Sequence, residues 1–275
     1  MDLERARALA GPRPRPAEPA GTLGELAPEL AGQGVELLRF DDARARLDLR
    51  RWLAPLEEGA PLEALMAEAW PTGGYFVRVP AGVIAEFPLH VSAGVKRFGT
   101  VERSLVVLEP GARLTLVDGC TDVGGPGGTR WSLLDVVIGE GAVLSGLSLQ
   151  SWPADAESRA LKRLRVAAGG RVEWTDVSLG ARRVEKTIAS ELSAGARADV
   201  LCAGYAAPGQ SQALRLPPWG RALAAGDIEA PGAALSRWPG GDAAALHRFF
   251  EPVSRRLPLE FSVEFTRLLE AHLHS

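Results

Sequence analysis

The chain has 275 residues, of which 46% are hydrophobic, with 31 basic and 34 acidic side chains and a net charge of −3. That composition supports a packed core and excludes global disorder, and the charge balance gives no footing for nucleic acid or an anionic membrane. Two cysteines, Cys120 and Cys202, are too few for a secreted disulfide framework.

Residues 1–21 carry Pro12, Pro14, Pro16 and Pro19 among small and charged residues and are expected to form a loose tail. The N-terminus has no apolar core of signal-peptide length. The most apolar stretch, 132–149, is broken by Asp135 and Glu140 and cannot span a bilayer. A cytoplasmic protein is the expectation. Residues 22–72 are predicted as a helical N-terminal region, from the spacing of Leu26, Leu30, Leu37 and Leu38 and then of Leu62, Leu65, Met66 and Trp70.

The texture changes at Gly73-Gly74, where Tyr75–Val79 is strand-like. A repeat follows. Gly82-Val83, Gly111-Ala112, Gly141-Ala142, Gly169-Gly170 and Gly195-Ala196 are separated by steps of 29, 30, 28 and 26 residues. Three positions after each glycine stand Ala85, Leu114, Leu144, Val172 and Ala198; five after stand Phe87, Leu116, Gly146, Trp174 and Val200. A glycine turn followed by in-register inward positions is what stacked coils require, since no coil buries its apolar face alone. A sandwich would show turn signals every ~8–12 residues. The fold class is therefore mainly β: a right-handed parallel β-helix of roughly five coils, regular from about 74 to 206, within a shortened core at 73–238. The next glycine element, Pro231-Gly232-Ala233, comes 37 residues after Gly195, with Pro217-Pro218 and Pro239-Gly240-Gly241 interrupting. A helical tail at 239–275 closes the chain, its last helix presenting Phe261, Phe265, Leu268, Leu269 and Leu273 on one face.

Several segments in this order resemble the SufB/SufD family of iron–sulfur assembly scaffolds. They are Gly74–Val83, Leu105–Ala112 running on to Val117-Asp118-Gly119-Cys120-Thr121, Gln150-Ser151-Trp152-Pro153, Arg171–Trp174, and Phe250-Glu251-Pro252-Val253 with Leu257-Pro258-Leu259-Glu260. The helical N-terminal part is more similar to SufD than to SufB. The resemblance implies a scaffold that is not an enzyme. Its C-terminal helices would bind a SufC-type ABC ATPase, and the end of its β-helix would dimerise by strand addition with a SufB-type subunit or a second copy. Family members carry several dozen more residues between the elements resembling Pro231-Gly232-Ala233 and Phe250-Glu251-Pro252. That segment holds their distal cluster-ligating residues, which have no counterpart here. His247 lies on the tail and does not take that role.

Cys120 is the chemical candidate, because resemblance to the SufB glycine-cysteine-threonine segment implies a sulfur-accepting thiol. Asp118 beside it would raise its pKa, and cysteine also packs as a small hydrophobe. At ~4.8 Å per coil, the three coils between Cys120 and Cys202 put them roughly 14 Å apart, too far for one shared metal. No H-x-x-x-H or C-x-x-C spacing exists, so neither a metal site nor a resident cofactor is expected. The run Gly124–Gly128 lacks the ending of a phosphate loop and reads as a hairpin or coil corner. Phe250, Glu251, Pro252, Leu257 and Pro258, at the Pro252–Pro258 bend, are the expected partner contacts, since packing onto the core looks hard to satisfy there. The alternatives are a sulfur relay through Cys120, or a carbohydrate-acting β-helix in which Asp118 and Asp176, both seven positions after their glycines with Ser148 between, form an acid pair.

Overall fold

The computed structural model describes residues 24, 26–53, 60–69, 71–92, 100–121 and 128–273, without the side chains of 92, 120, 121, 260 and 273. The expected 1–21 tail and most of the Gly124–Gly128 run lie outside the described residues.

Among its described residues the N-terminal region contains three short helices, α1 (Pro28–Gly32), α2 (Phe40–Arg46) and α3 (Leu62–Ala69), with a 3-10 turn at Leu49–Arg51. It is not wholly helical. Glu36–Arg39 form strand β1, antiparallel to β2 (Tyr75–Val79), so Leu37 and Leu38 belong to a sheet and not to a helix. The reason is tertiary: β1 covers the first edge of the β-stack, whose backbone groups would otherwise lack partners.

From β2 onward the chain alternates between two parallel sheets. One continues through β4 (Val101–Leu108), β6 (Thr129–Ile138), β8 (Glu157–Val166), β10 (Arg183–Leu192), β12 (Ser211–Arg215) and β14 (Ile228–Glu229). The other takes β3 (Leu89–Ser92), β5 (Arg113–Thr121), β7 (Val143–Trp152), β9 (Arg171–Gly180), β11 (Arg197–Tyr205), β13 (Arg221–Ala225) and β15 (Ala234–Arg237). This is a parallel β-solenoid in which each turn gives one strand to each sheet. The turns from β4 to β11 are full length, and those at the ends are shorter. Gly82, Gly111, Gly141, Gly169 and Gly195 make the corners with φ between 63° and 73°, the left-handed conformation that only glycine adopts at no steric cost.

From the second glycine onward the inward columns match the expected ones; in the first coil Phe87 is 54% exposed, and Leu89 instead stands in register with Leu116. Leu114, Leu144 and Val172 stack in register, as do Leu116, Gly146, Trp174 and Val200, and every side chain among them is buried. The solenoid does not break at the 37-residue step after Gly195. That step encloses one complete, shorter turn, β12 and β13, whose corner is Pro217–Gly220, closed by a hydrogen bond from the Gly220 amide to the Pro217 carbonyl at 2.8 Å. The prolines are the turn, not an interruption. β14 and β15 end the two sheets and leave a strand edge there.

Each sheet carries a cover on its outer face. Phe40, Ala43 and Leu49 pack on Phe76, Leu105 and Val107, and Ala64 and Ala67 pack on Val101, Leu133 and Leu161. The tail forms α4 (Ala243–Phe249), α5 (Glu251–Ser254) and α6 (Leu259–Leu273). It lies across the other sheet, on Leu147, Leu149, Val177, Leu179 and Leu201.

Candidate functional site

The partner contacts expected at the bend divide into two groups. Phe250 is 1% exposed and Leu257 is buried beside it in the cluster beneath the tail. Phe250 meets Phe265 edge-on, with ring centroids 6.0 Å apart. The expectation that the bend leaves these two unpacked is corrected: the chain turns at Pro252–Pro258 so that both point into the sheet. Glu251 and Pro252 are exposed and Pro258 is half-buried. Two apolar residues that sequence reasoning passed over stand next to them. Leu259 is 80% exposed and Val263 is 63% exposed, one helical turn apart on α6. The opposite face of that helix, Phe265, Leu268 and Leu269, is buried. One histidine ties the tail to the sheet, with His272 Nε2 3.0 Å from Ser151 Oγ, while His247 Nε2, 3.3 Å from Glu270 Oε1, links two helices of the tail itself.

Cys120 lies in β5, its backbone in register with Gln150 of β7. Gln150 in turn neighbours Ser178, and both of these side chains are buried. The Cys120 side chain is outside the described residues. Cys202 is buried in β11, three strands along the same sheet, and burial followed by the charge of Asp176 pushes its thiol up to about 12. A thiol held protonated at neutral pH is neither a nucleophile nor a ready metal ligand.

The interior holds a feature that the sequence reading found only in part, since it aligned Asp118, Ser148 and Asp176 but passed over the lysines that face them. Asp118, Ser148, Asp176 and Cys202 form one column down the sheet. Facing them from the other sheet are two of the chain's three lysines. Lys162 Nζ donates to Asp176 and, at 2.6 Å, to Ser148 Oγ; Lys186 Nζ donates to Asp176 and, at 2.6 Å, to Ser178 Oγ. Lys162 also stands 4.8 Å from the centroid of the Trp174 ring. Ser148 Oγ donates onward to Asp118 at 3.3 Å. A second interior pair, Arg130 with Glu102, lies farther toward the strand starts. Burial would raise the Asp176 carboxyl, but Lys162 and Lys186 outweigh it and hold it low. Asp118 moves the other way: burial raises it more than Lys162 and Arg130 lower it.

This geometry removes the acid-pair reading. Asp118 is 8% exposed and Asp176 is 0% exposed, and both face the packed interior instead of an outer groove. No polysaccharide reaches them. The missed signal was parity. Lys162 shares the inward alternation of Leu164 and Val166, and Lys186 that of Val184 and Ile188, so both charges were placed inside by the strand period. Among the described residues no group of three His, Cys, Asp or Glu side chains is arranged to hold a metal ion.

Comparison with known proteins bears on the same segment. The family model described as "SUF system FeS cluster assembly, SufBD core domain" matches residues 90–216. Proteins named iron-sulfur cluster assembly SufBD family protein, from Staphylococcus epidermidis, Staphylococcus saprophyticus and Staphylococcus aureus, are each 28% identical over 153 residues. Those residues cover 54% of this chain and 33% of each relative. The chain thus spans about a third of the length of the curated relatives it matches.

Proposed function

This chain belongs to the SufB/SufD family through the core domain at residues 90–216, and from that premise we propose that it is a scaffold subunit of iron–sulfur cluster assembly that docks a SufC-type ATPase on its C-terminal helices. The protein acts in the cytoplasm by holding partners and not by catalysis. The observation that carries this reading is the two-sided tail. One face of α6 is buried on the sheet, while Leu259 and Val263 form a second apolar face next to Glu251, Pro252 and Pro258. Exposed apolar residues grouped on a firmly seated helix suit a partner surface. The strand edge at β14 and β15 is where a SufB-type subunit or a second copy would add.

Co-purification tests the docking. Leu259→Asp with Val263→Asp should abolish capture of a SufC-type ATPase and leave the thermal melt within about 2 °C, since surface changes of this kind stay within roughly 0.5 kcal/mol. Capture that persists in the double variant defeats the docking surface. Substitutions at Phe250 or Leu257 cannot serve here, because both are buried and a lost melt would mimic lost binding.

The register supports a second reading, a sulfur relay through Cys120. Its backbone neighbour Gln150 and the next residue across, Ser178, are buried polar groups, so Cys120 stands at one end of a polar column. Incubation with a cysteine desulfurase and cysteine should then leave a persulfide on Cys120 and none on Cys202, read by mass spectrometry. Label on Cys202 or on neither cysteine removes the relay.

A further inference from the structure

The solenoid steps down in size between β11 and β12, and the step opens one of its corners. β12 pairs only with Arg183–Thr187 of β10, and β13 only with Leu201–Tyr205 of β11. Among the described residues, 188–192 and 197–200 therefore have no partner strand on that side. Leu192 continues the inward column of Val79, Leu108, Ile138 and Val166. Those four are at most 2% exposed, whereas Leu192 is 41% exposed. Trp219, on the short corner that follows, is 38% exposed. Between them lies a cavity of about 670 Å³ whose apolar wall includes Val172, Leu192, Ala198 and Trp219. That volume falls in the range of small-molecule sites.

The charges at the mouth do not cancel. Glu173 and Asp199 line it, but both are taken: Arg256 lies 3.3 Å from Glu173 and 2.8 Å from Asp199, and Arg221 lies 3.0 Å from Asp199. Arg171 and Arg197 also line it. They are exposed, directly opposite each other in register on neighbouring strands, and have no ion pair among the described residues. Like charges placed opposite one another across ~4.8 Å repel and destabilise the pair. A dianion between them would relieve that repulsion through charge-assisted hydrogen bonds.

We propose that this corner binds a single-chain amphiphile with a phosphate monoester head. The head, carrying about −1.5 to −2 at neutral pH, matches the two guanidiniums. The tail enters the cavity along Leu192 and Val172 and covers the apolar column that the short turn leaves open. This site borders the tail through Arg256 but uses neither Leu259, Val263 nor Cys120, and it stands whether or not the docking reading does.

Isothermal titration of the full chain with decyl phosphate, below its critical micelle concentration, tests it. One equivalent should bind at least tenfold more tightly than inorganic phosphate, which lacks the tail, or decyl maltoside, which lacks the charge. Decanoate, with one charge, should fall between. Arg171→Ala with Arg197→Ala should weaken decyl phosphate at least tenfold without lowering the thermal melt, since neither side chain has an ion pair to lose among the described residues and their mutual repulsion is relieved. Leu192→Asn should bring decyl phosphate close to inorganic phosphate. Equal affinity of the arginine variant and the parent, binding of decanoate as tight as decyl phosphate, or no binding by the folded parent each overturns the proposal.

Discussion

Asp176→Ala should cost about 3–5 kcal/mol in urea unfolding, because it leaves the ammonium groups of Lys162 and Lys186 buried without their shared counter-ion. The loss of charge at Asp118 has a different expected result. Its carboxyl sits in the same column, yet burial raises its pKa while that of Asp176 is held low. Asp118→Asn should therefore change stability by less than about 1 kcal/mol, or improve it, at neutral pH. The pH dependences follow with opposite signs. In the unfolded chain both carboxyls titrate near pH ~4. The lowered Asp176 contributes stability above that value and loses it as pH falls through its depressed folded pKa. Asp118 prefers its proton in the folded state, so it favours folding below that value and withdraws that support as pH rises through its raised folded pKa. The Asp118→Asn variant should flatten the stability profile above pH ~4, while the Asp176→Ala variant should lose the decline on the acid side. A loss below about 1 kcal/mol for Asp176→Ala would mean that the two lysines do not depend on it. Replacing the triad together, Asp176→Leu with Lys162→Met and Lys186→Met, should recover most of the loss, since apolar isosteres of a buried ionic group are often neutral.

What the sequence conveyed of this fold was set by geometry that repeats. The glycine corners need the left-handed region, and the residues three and five positions later share one face. Leu114, Leu144 and Val172 could therefore be placed inside without knowing the size of the turn. The same reliance on a constant step hid the turn of β12 and β13. Its strands have five residues each, its corner is built on Pro217 and Pro218, and its length departs from the period of the turns before it. At the site the signal was present in the alternation. In β7 and β9 the inward residues are matched by apolar outward ones, Leu147, Leu149, Val177 and Leu179. A strand apolar on both faces needs a cover on each. That requirement assigns Phe250 and Leu257 to the sheet before any partner is considered. Which residues of the covering helix remain outside is a matter of how it is rotated on the sheet, and Leu259 and Val263 are evident only once that rotation is fixed.

Trp174→Ala should cost about 3–5 kcal/mol, and its neighbour in the column sets how that loss can be read. Trp174 is 0% exposed and lies in register beneath Gly146, the one glycine in a column otherwise made of Leu89, Leu116, Trp174 and Val200. A Cβ at position 146 would run into Cε3 and Cζ3 of the Trp174 ring and stand 2.9 Å from its Cδ2. The indole therefore occupies the space that a side chain on the turn above would need. Lys162, whose ammonium sits 4.8 Å from the ring centroid, limits how far the ring can move aside. Gly146→Ala alone should destabilise by about 1–3 kcal/mol, the usual cost of overpacking a core that cannot relax. With Trp174→Ala already in place, the added methyl group enters vacated volume. The double variant should then be more stable than the sum of the two single losses predicts, by at least about 1 kcal/mol on the scale of contacting residues. Equilibrium urea melts of the four proteins read this coupling directly. Additive losses would mean that the methyl group and the indole do not compete for one space, and the stacking assigned to this column would be wrong.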